Sequence, residues 1–305
     1  MSKAGTPRHE PVAIGEIAVP PFVRLPDPSV LFSTRAARFR SLANGHQLGP
    51  YLSFLATLSD CQDRVQDGLP EPDMPAEDAR ARAREHAMPP LDRGRFTADA
   101  ALDATFERLL SLAAEIEMPD SARAALGRVG GTASAVRDEM VRSVLAASIP
   151  VDALADHVYV AAALQVHFAR LASRLDPASL VPVGEGACPT CGGAPVSSAI
   201  VGWSSAHGVR FCTCALCATL WHTVRIKCML CGSTKGITYQ GVEGGQANVK
   251  AETCENCHGY LKILHQHKDP TLDPVADDVG TLGLDLLMRE AGYRRGSFNP
   301  FLLGY

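Results

Sequence analysis

The sequence predicts an α+β protein: an N-terminal α-helical bundle, then two tandem four-cysteine metal modules, then a C-terminal helix. Three observations predict it. Apolar residues recur at helical spacing up to about residue 175, eight cysteines form four Cys-x-x-Cys pairs between Cys188 and Cys257, and an amphipathic stretch follows Asp273.

Bulk properties narrow the classes of function. A chain of 305 residues can bury a sizeable core without help from metal. A formal net charge of -4 gives no basic footprint for a polyanion, so no nucleic-acid partner is expected. The most apolar run, Val158 to Val166, is flanked by Asp156, His157, His167 and Arg170 and is far shorter than the ~20 residues that cross a bilayer, so no membrane span is expected. The first residues, Met1 to Pro11, hold neither an apolar signal core nor a twin arginine, which points to the cytoplasm. In that reducing compartment the ten cysteines suit metal ligation or redox chemistry better than a disulfide framework.

In chain order, residues 1–28 read as an extended Pro-rich arm that lies on a neighbour or stays mobile, and residues 29–180 as the helical domain. A Pro-rich, charged stretch from Gly68 to Arg95 should supply long connections. After Pro50, Tyr51, Phe54, Leu55, Leu58, Cys61 and Val65 recur on one helical face, which makes Cys61 a small core hydrophobe. The same spacing predicts helices over 98–114 (Leu102, Phe106, Leu109, Leu110), 133–147 (Val136, Met140, Val144) and 152–174, the last capped by Asp152. Past Pro177 the chain becomes Gly-rich, Cys-rich and β-prone, with turns at Gly184–Gly186 and Gly244–Gly245. Residues 181–225 and 226–268 read as a first and a second four-cysteine ribbon, and 269–305 as a C-terminal helix and docking tail. In that last segment Asp273 caps, Pro274 takes the first turn, Val275, Val279, Leu282, Leu286 and Leu287 form a stripe, and Gly292 can end the helix.

The pairs are Cys188/Cys191, Cys214/Cys217, Cys228/Cys231 and Cys254/Cys257. The first two superpose on the last two at one offset of 40, with 22 residues between pairs in each unit; Gly192 then matches Gly232 and Arg210 matches Lys250. The repeat argues for sequential sites, Cys188, Cys191, Cys214 and Cys217 for one metal ion and Cys228, Cys231, Cys254 and Cys257 for another. Spacing leaves open a cross-braced pairing of the first pair with the third. A Cys-x-x-Cys turn presents two thiolates to one ion, and two turns complete a tetrahedron. Four thiolates close the shell, which suits structural zinc or a rubredoxin-like iron and leaves no position for a substrate water, so no catalytic residues are assigned. The missing βαβ context argues against thioredoxin-like chemistry, and no dinucleotide loop is present. Cys212 aligns with Glu252 and is left out of the ligand set. His207, His222, His258, His265 and His267 are not needed to reach four ligands. Residues 184–268 carry seven Lys and Arg against four Glu, too mild an excess for a nucleic-acid adaptor.

Taken together these residues resemble the formate dehydrogenase accessory proteins of the FdhE family. The resemblance runs through Arg35-Ala-Ala-Arg-Phe-Arg40, Leu48-Gly-Pro-Tyr-Leu52, Cys188 to Ser198, Cys214 to His222, Arg225-Ile-Lys-Cys228, Ala251 to Cys254, Tyr260 to Leu264, Ala276-Asp-Asp278 and Asn299-Pro-Phe-Leu302. It implies a cytoplasmic maturation factor, not an enzyme, that binds the catalytic subunit of a respiratory formate dehydrogenase, and it implies rubredoxin-like iron at the matching cysteines, two metal ions in all, with zinc as the alternative. Cys212 departs from the family pattern. Asp277, Asp278, Arg294, Arg295 and Asn299, on and after the C-terminal helix, are candidate partner contacts, although a solvated helix face would also explain them.

Overall fold

In the computed structural model, which describes residues 19–302, a helical layer packs on one mixed β-sheet. The helices before the sheet are α1 (Pro28–Ala43), α2 (Gly49–Arg64), α3 (Glu77–Glu85), α4 (Ala100–Ala114), α5 (Asp120–Gly130), α6 (Ser134–Leu145) and α7 (Leu154–Ser173). Asp27 caps α1 by accepting from the Ser29 N–H at 3.1 Å, with Pro28 in the first turn. The most apolar run of the sequence lies in α7, where every residue from His157 to Ala169 is buried, and α1, α2, α4, α5 and α6 pack around it. Phe54, Leu55, Leu58, Cys61 and Val65 are in the core as the stripe requires, as are Leu102, Phe106 and Leu109.

Local detail departs from expectation in four places. The stretch from Gly68 to Arg95 contains α3, a helix with no buried residue, held by the surface pairs Arg80–Glu77 and Arg82–Asp78; without an apolar stripe it has no sequence periodicity to detect. Helix α5 carries little mark in the sequence for a similar reason, since only Ala125, Leu126 and Val129 are buried. Val136 is 51% exposed, because α6 buries Val141, Val144 and Leu145 instead. Asp152 does not cap: it lies in a 3-10 turn, Val151–Ala153, and α7 starts at Leu154 without a side-chain cap.

The strands are β1 (Val23–Arg24), β2 (Pro195–Ile200), β3 (Arg210–Cys214), β4 (Leu220–Thr223), β5 (Ile237–Gln240), β6 (Val249–Cys254), β7 (Gly259–Leu264) and β8 (Arg294–Arg295). Their order is β1-β4-β3-β2-β7-β6-β5, with β8 also pairing β7. The offset of 40 maps β2, β3 and β4 onto β5, β6 and β7, so each ribbon is an antiparallel three-stranded unit. The two units join through the parallel pair β2/β7, Ser198 opposite Ile263 and Ala199 opposite Leu264. One edge of the first unit is covered by β1, Val23 pairing Trp221. Apart from Pro28, which opens α1, this strand is the described part of the expected arm with regular structure; residues 1–18 of that arm lie outside the described residues. At the other end no strand pairs the outer edge of β5 among the described residues.

The C-terminal segment is two helices, not one: α8 (Ala276–Gly280) and α9 (Leu282–Glu290). Asp273 does cap, its carboxylate accepting from the Val275 and Ala276 N–H groups at 2.9 and 2.8 Å. The break at Thr281 shifts the helical phase, so Leu284, Asp285 and Met288 turn inward while Leu286 and Leu287 are 41% and 43% exposed. Gly292, at φ +83°, turns the chain out of α9 as expected. Asn299, Phe301 and Leu302 are buried, and the Phe301 carbonyl accepts from the Tyr51 hydroxyl at 2.6 Å; residues 303–305 of the expected docking tail lie outside the described residues.

Candidate metal centres

Of the two pairings that spacing allows, the structure takes the sequential one. Cys188, Cys191, Cys214 and Cys217 converge with their Sγ atoms within 4.8 Å of one another, and so do Cys228, Cys231, Cys254 and Cys257. The turns that carry them repeat as the sequence does. In the first ribbon the Gly192 N–H donates to the Cys188 carbonyl at 2.8 Å; in the second, Gly232 donates to Cys228 at 3.0 Å. Gly192 and Gly232 have φ of +74° and +72°, the left-handed conformation that glycine adopts without a steric penalty. On the opposite turns Ala218 and His258 sit at φ +56° and +52°, again at matching positions.

The sulfur geometry fits a metal. A tetrahedral ion with bonds of about 2.3 Å requires sulfurs about 3.8 Å apart. Cys228–Cys257 and Cys231–Cys254 lie at 3.7 and 3.8 Å, and Cys188–Cys217 and Cys191–Cys214 at 3.6 and 3.4 Å. Backbone N–H groups point at the sulfurs as well, Leu216 onto Cys214 and Leu230 onto Cys228, both at 3.4 Å. At Gly193 a Cβ would lie 3.2 Å from the sulfurs of both Cys191 and Cys214, so glycine keeps that side of the cluster clear. In the first cluster, four thiols this close in a dry interior disfavour any state in which several are ionised without a cation, and burial pushes the Cys188 thiol well above its ordinary value. A bound divalent or trivalent ion would supply the missing positive charge.

The helical domain holds the first site directly. Gln165 of α7 donates to the Ala215 carbonyl at 2.8 Å, inside the Cys214–Cys217 turn, while its own oxygen accepts from Arg35 and Gln62, each at 3.2 Å. The Leu91 and Arg93 N–H groups donate to the Thr190 and Cys191 carbonyls at 2.9 and 3.2 Å. These supports lie far from the cysteines in sequence, and no local signal marks them. Between the ribbons, buried Arg210 pairs with buried Glu252 at 2.9 Å and donates to the Lys227 carbonyl at 3.1 Å. Cys212 stands beside this pair and outside both sulfur clusters; burial pushes its thiol up to about 12, so it is an unreactive core group.

The five candidate partner contacts fall into three settings. Asp278, Arg295 and Asn299 form one interior network with Lys262 and Asp285. Lys262 lies 3.2 Å from Asp278 and 2.5 Å from Asp285, Arg295 pairs with both carboxylates, and the Asn299 amide donates to Asp278 at 2.8 Å. Burial opposes ionisation of Asp278, but Arg295 and Lys262 hold its carboxyl below the ordinary range. Asp277 is fully buried and grips Arg38 of α1 through two hydrogen bonds of 2.9 and 2.6 Å. Polar atoms engaged in this way join β7, α8, α9, β8 and the tail, and tie them to α1. Arg294 alone of the five is exposed; its side chain donates to the Cys257 carbonyl at 3.4 Å.

Fold and site together define a class: a helical protein carrying two tandem four-cysteine ribbons fused into one sheet. Family models cover almost all of the described chain: "FdhE, N-terminal" over residues 20–185, "FdhE, central domain" over 187–225 and "FdhE, C-terminal domain" over 226–302. The FdhE homolog of Rhizobium meliloti (strain 1021) is 46% identical over 298 residues, 97% of either chain. Protein FdhE of Salmonella choleraesuis (strain SC-B67) is 37% identical over 291 residues, 93% of this chain and 91% of that protein. The crystal structure of the FdhE protein from Pseudomonas aeruginosa superposes with a TM-score of 0.83 at 31% identity, covering 93% of this chain and 99% of that one. This chain belongs to the FdhE family. No helix among its described residues is long and apolar enough to cross a membrane.

Proposed function

We propose that the protein is a cytoplasmic maturation factor that binds the catalytic subunit of a respiratory formate dehydrogenase and is needed for its activity, without itself catalysing a reaction. The single observation that carries this reading is membership of the FdhE family over residues 20–302 combined with two closed sulfur sites. We take the cysteines of each cluster to hold one metal ion, rubredoxin-like iron in preference to zinc. Bound metal supplies folding free energy and, if iron, a one-electron centre. With all four positions taken by thiolate, the chain offers no coordination site at which a substrate could be activated.

What the residues of this chain do is position a surface. The units we take as functional are the helical domain 29–180, the ribbons 181–225 and 226–268, and the C-terminal segment 269–305. Buried ion pairs fix the second ribbon and the C-terminal helices as one body, and Gln165 fixes the first ribbon on the helices. While others such as Val19 and Val151 lie elsewhere, five large apolar side chains are left outside on the second ribbon and the segment entering it, Val224 and Ile226 at 58% and 56% exposed and Leu230, Tyr239 and Val242 at 40% to 42%. Together with Arg294 they make the best candidate surface for the client.

The test is a pull-down of the formate dehydrogenase catalytic subunit with purified protein, wild type and with Ile226, Leu230 and Tyr239 each changed to Ser. Capture by the wild type and weakened capture by the variants are expected. No enrichment with any form refutes the chaperone reading.

A further inference from the structure

The repeat gives an internal comparison: the same four ligands in the same turns, in two different environments. In the first ribbon Cys188 to Cys191 and Cys214 to Ala218 are all buried, and the four cysteines among them are 0% to 1% exposed. They belong to the main hydrophobic core, between α7 and the sheet. In the second ribbon the matching rim is open. Leu230, Cys231, Glu255, Asn256 and His258 are exposed, and Cys257 is half-buried.

The environment of the sulfurs differs accordingly. Leu216 in the first site is buried; at the matching position of the second, Asn256 directs its amide onto the Cys231 sulfur at 3.5 Å. A hydrophobe at that place closes a site. A donor amide stabilises a sulfur that carries negative charge while facing water, whether or not it is bound to metal.

Resting on the reading that both clusters hold metal, we infer that the two sites have different duties: the first is an inert structural site, and the second is an exchangeable one that a soft donor from outside, such as a thiolate, enters at Cys231. Ligand exchange at a closed thiolate site is associative. The incoming sulfur or nitrogen donor forms its bond to the ion as the Cys231 bond breaks, and Cys231 departs as a thiolate held by Asn256, so no oxidant, reductant or proton source is required. At the first site the same attack has no path, because all four ligands are buried, with α7 bonded to the Cys214–Cys217 turn and the segment around Leu91 to the Cys188–Cys191 turn; exchange there must await opening of the core. The second ribbon therefore carries both the exchangeable ion and exposed apolar side chains, Leu230 next to Cys231 among them.

The test uses the full chain loaded with two zinc ions, the content being verified by elemental analysis, and the chromogenic chelator 4-(2-pyridylazo)resorcinol as probe. Two phases of equal amplitude are expected, the first at least about tenfold faster than the second, which corresponds to a difference in activation free energy of about 1.4 kcal/mol or more. Cys231→Ser should remove the fast ion and leave the slow phase unchanged. Asn256→Leu, which copies the first site, should slow the fast phase and keep both ions. On the wild type, quenching with iodoacetamide after the fast phase should label the second cluster and spare Cys188, Cys191, Cys214 and Cys217. Release of both ions in one phase, or a fast phase that survives in Cys231→Ser, overturns this inference. A content below two ions per chain instead refutes the metal assignment beneath it.

Discussion

Replacing Gln165 with Leu removes the side chain that couples the helical domain to the first sulfur cluster. Leucine has similar bulk, so the cost comes from polar groups, not from a cavity. Gln165 is 3% exposed and makes three hydrogen bonds, to Ala215, Arg35 and Gln62. Gln62 keeps a partner in the variant, since its amide also donates to the Ala162 carbonyl at 3.0 Å. Two groups are orphaned: the Ala215 carbonyl and one guanidinium nitrogen of Arg35, itself 3% exposed. At about 1–3 kcal/mol for the neutral group and somewhat more for the charged one, the loss is about 3–5 kcal/mol. That is a large part of an ordinary stability of about 5–15 kcal/mol, yet it leaves the variant folded at room temperature. Urea unfolding of metal-loaded protein, followed by far-UV circular dichroism, measures it as a lower midpoint with an unchanged slope. A loss below about 1 kcal/mol would show that the hydrogen bonds of Gln165 do not couple the two parts.

Two further perturbations address the buried charges. Lys262→Met leaves Asp278 and Asp285 with Arg295 as their one cation and should cost about 3–5 kcal/mol, whereas Lys262→Met with Asp285→Asn restores neutrality and should recover at least half; the double-mutant cycle from urea unfolding checks both. His167 is fully buried, with neither ring nitrogen hydrogen-bonded, and burial lowers its pKa to about 4. Its folded value lies below the unfolded one, so the stability it permits is complete above pH 6.5 and falls as pH drops through 4, by about 3 kcal/mol in all. Because acid also protonates thiolates, the informative quantity is the difference from His167→Leu, which should lose that part of the pH dependence; identical acid profiles would contradict it.

Legibility in the sequence follows periodicity and spacing. The stripes of α2 and α4 and the run in α7 are visible because each buries a regular face, and the cysteine repeat is visible because its spacing is chemical. Helix α3 is not, since a helix that buries nothing leaves no period. The single C-terminal helix expected from Val275 to Leu287 fails at Thr281, where the Asp278–Lys262 and Asp285–Lys262 pairs select two phases over one. No pattern in sequence pairs Lys262 with residues on two later helices. Asp277 and Asp278 read equally as a solvated face from sequence, and only the tertiary partners Arg38, Lys262 and Arg295 show that they point inward. The offset of 40 places the ligands but is silent about what covers them, so the difference between a buried and an exposed copy of one site belongs to the fold.

The claim beneath all of this is that eight cysteines form two separate closed metal sites. Native mass spectrometry of protein prepared without air tests it most directly. The account predicts a chain carrying two metal ions, falling to one in Cys231→Ser, with no disulfide. A metal-free chain, a single ion shared between the clusters, or disulfides within the Cys-x-x-Cys pairs would contradict it.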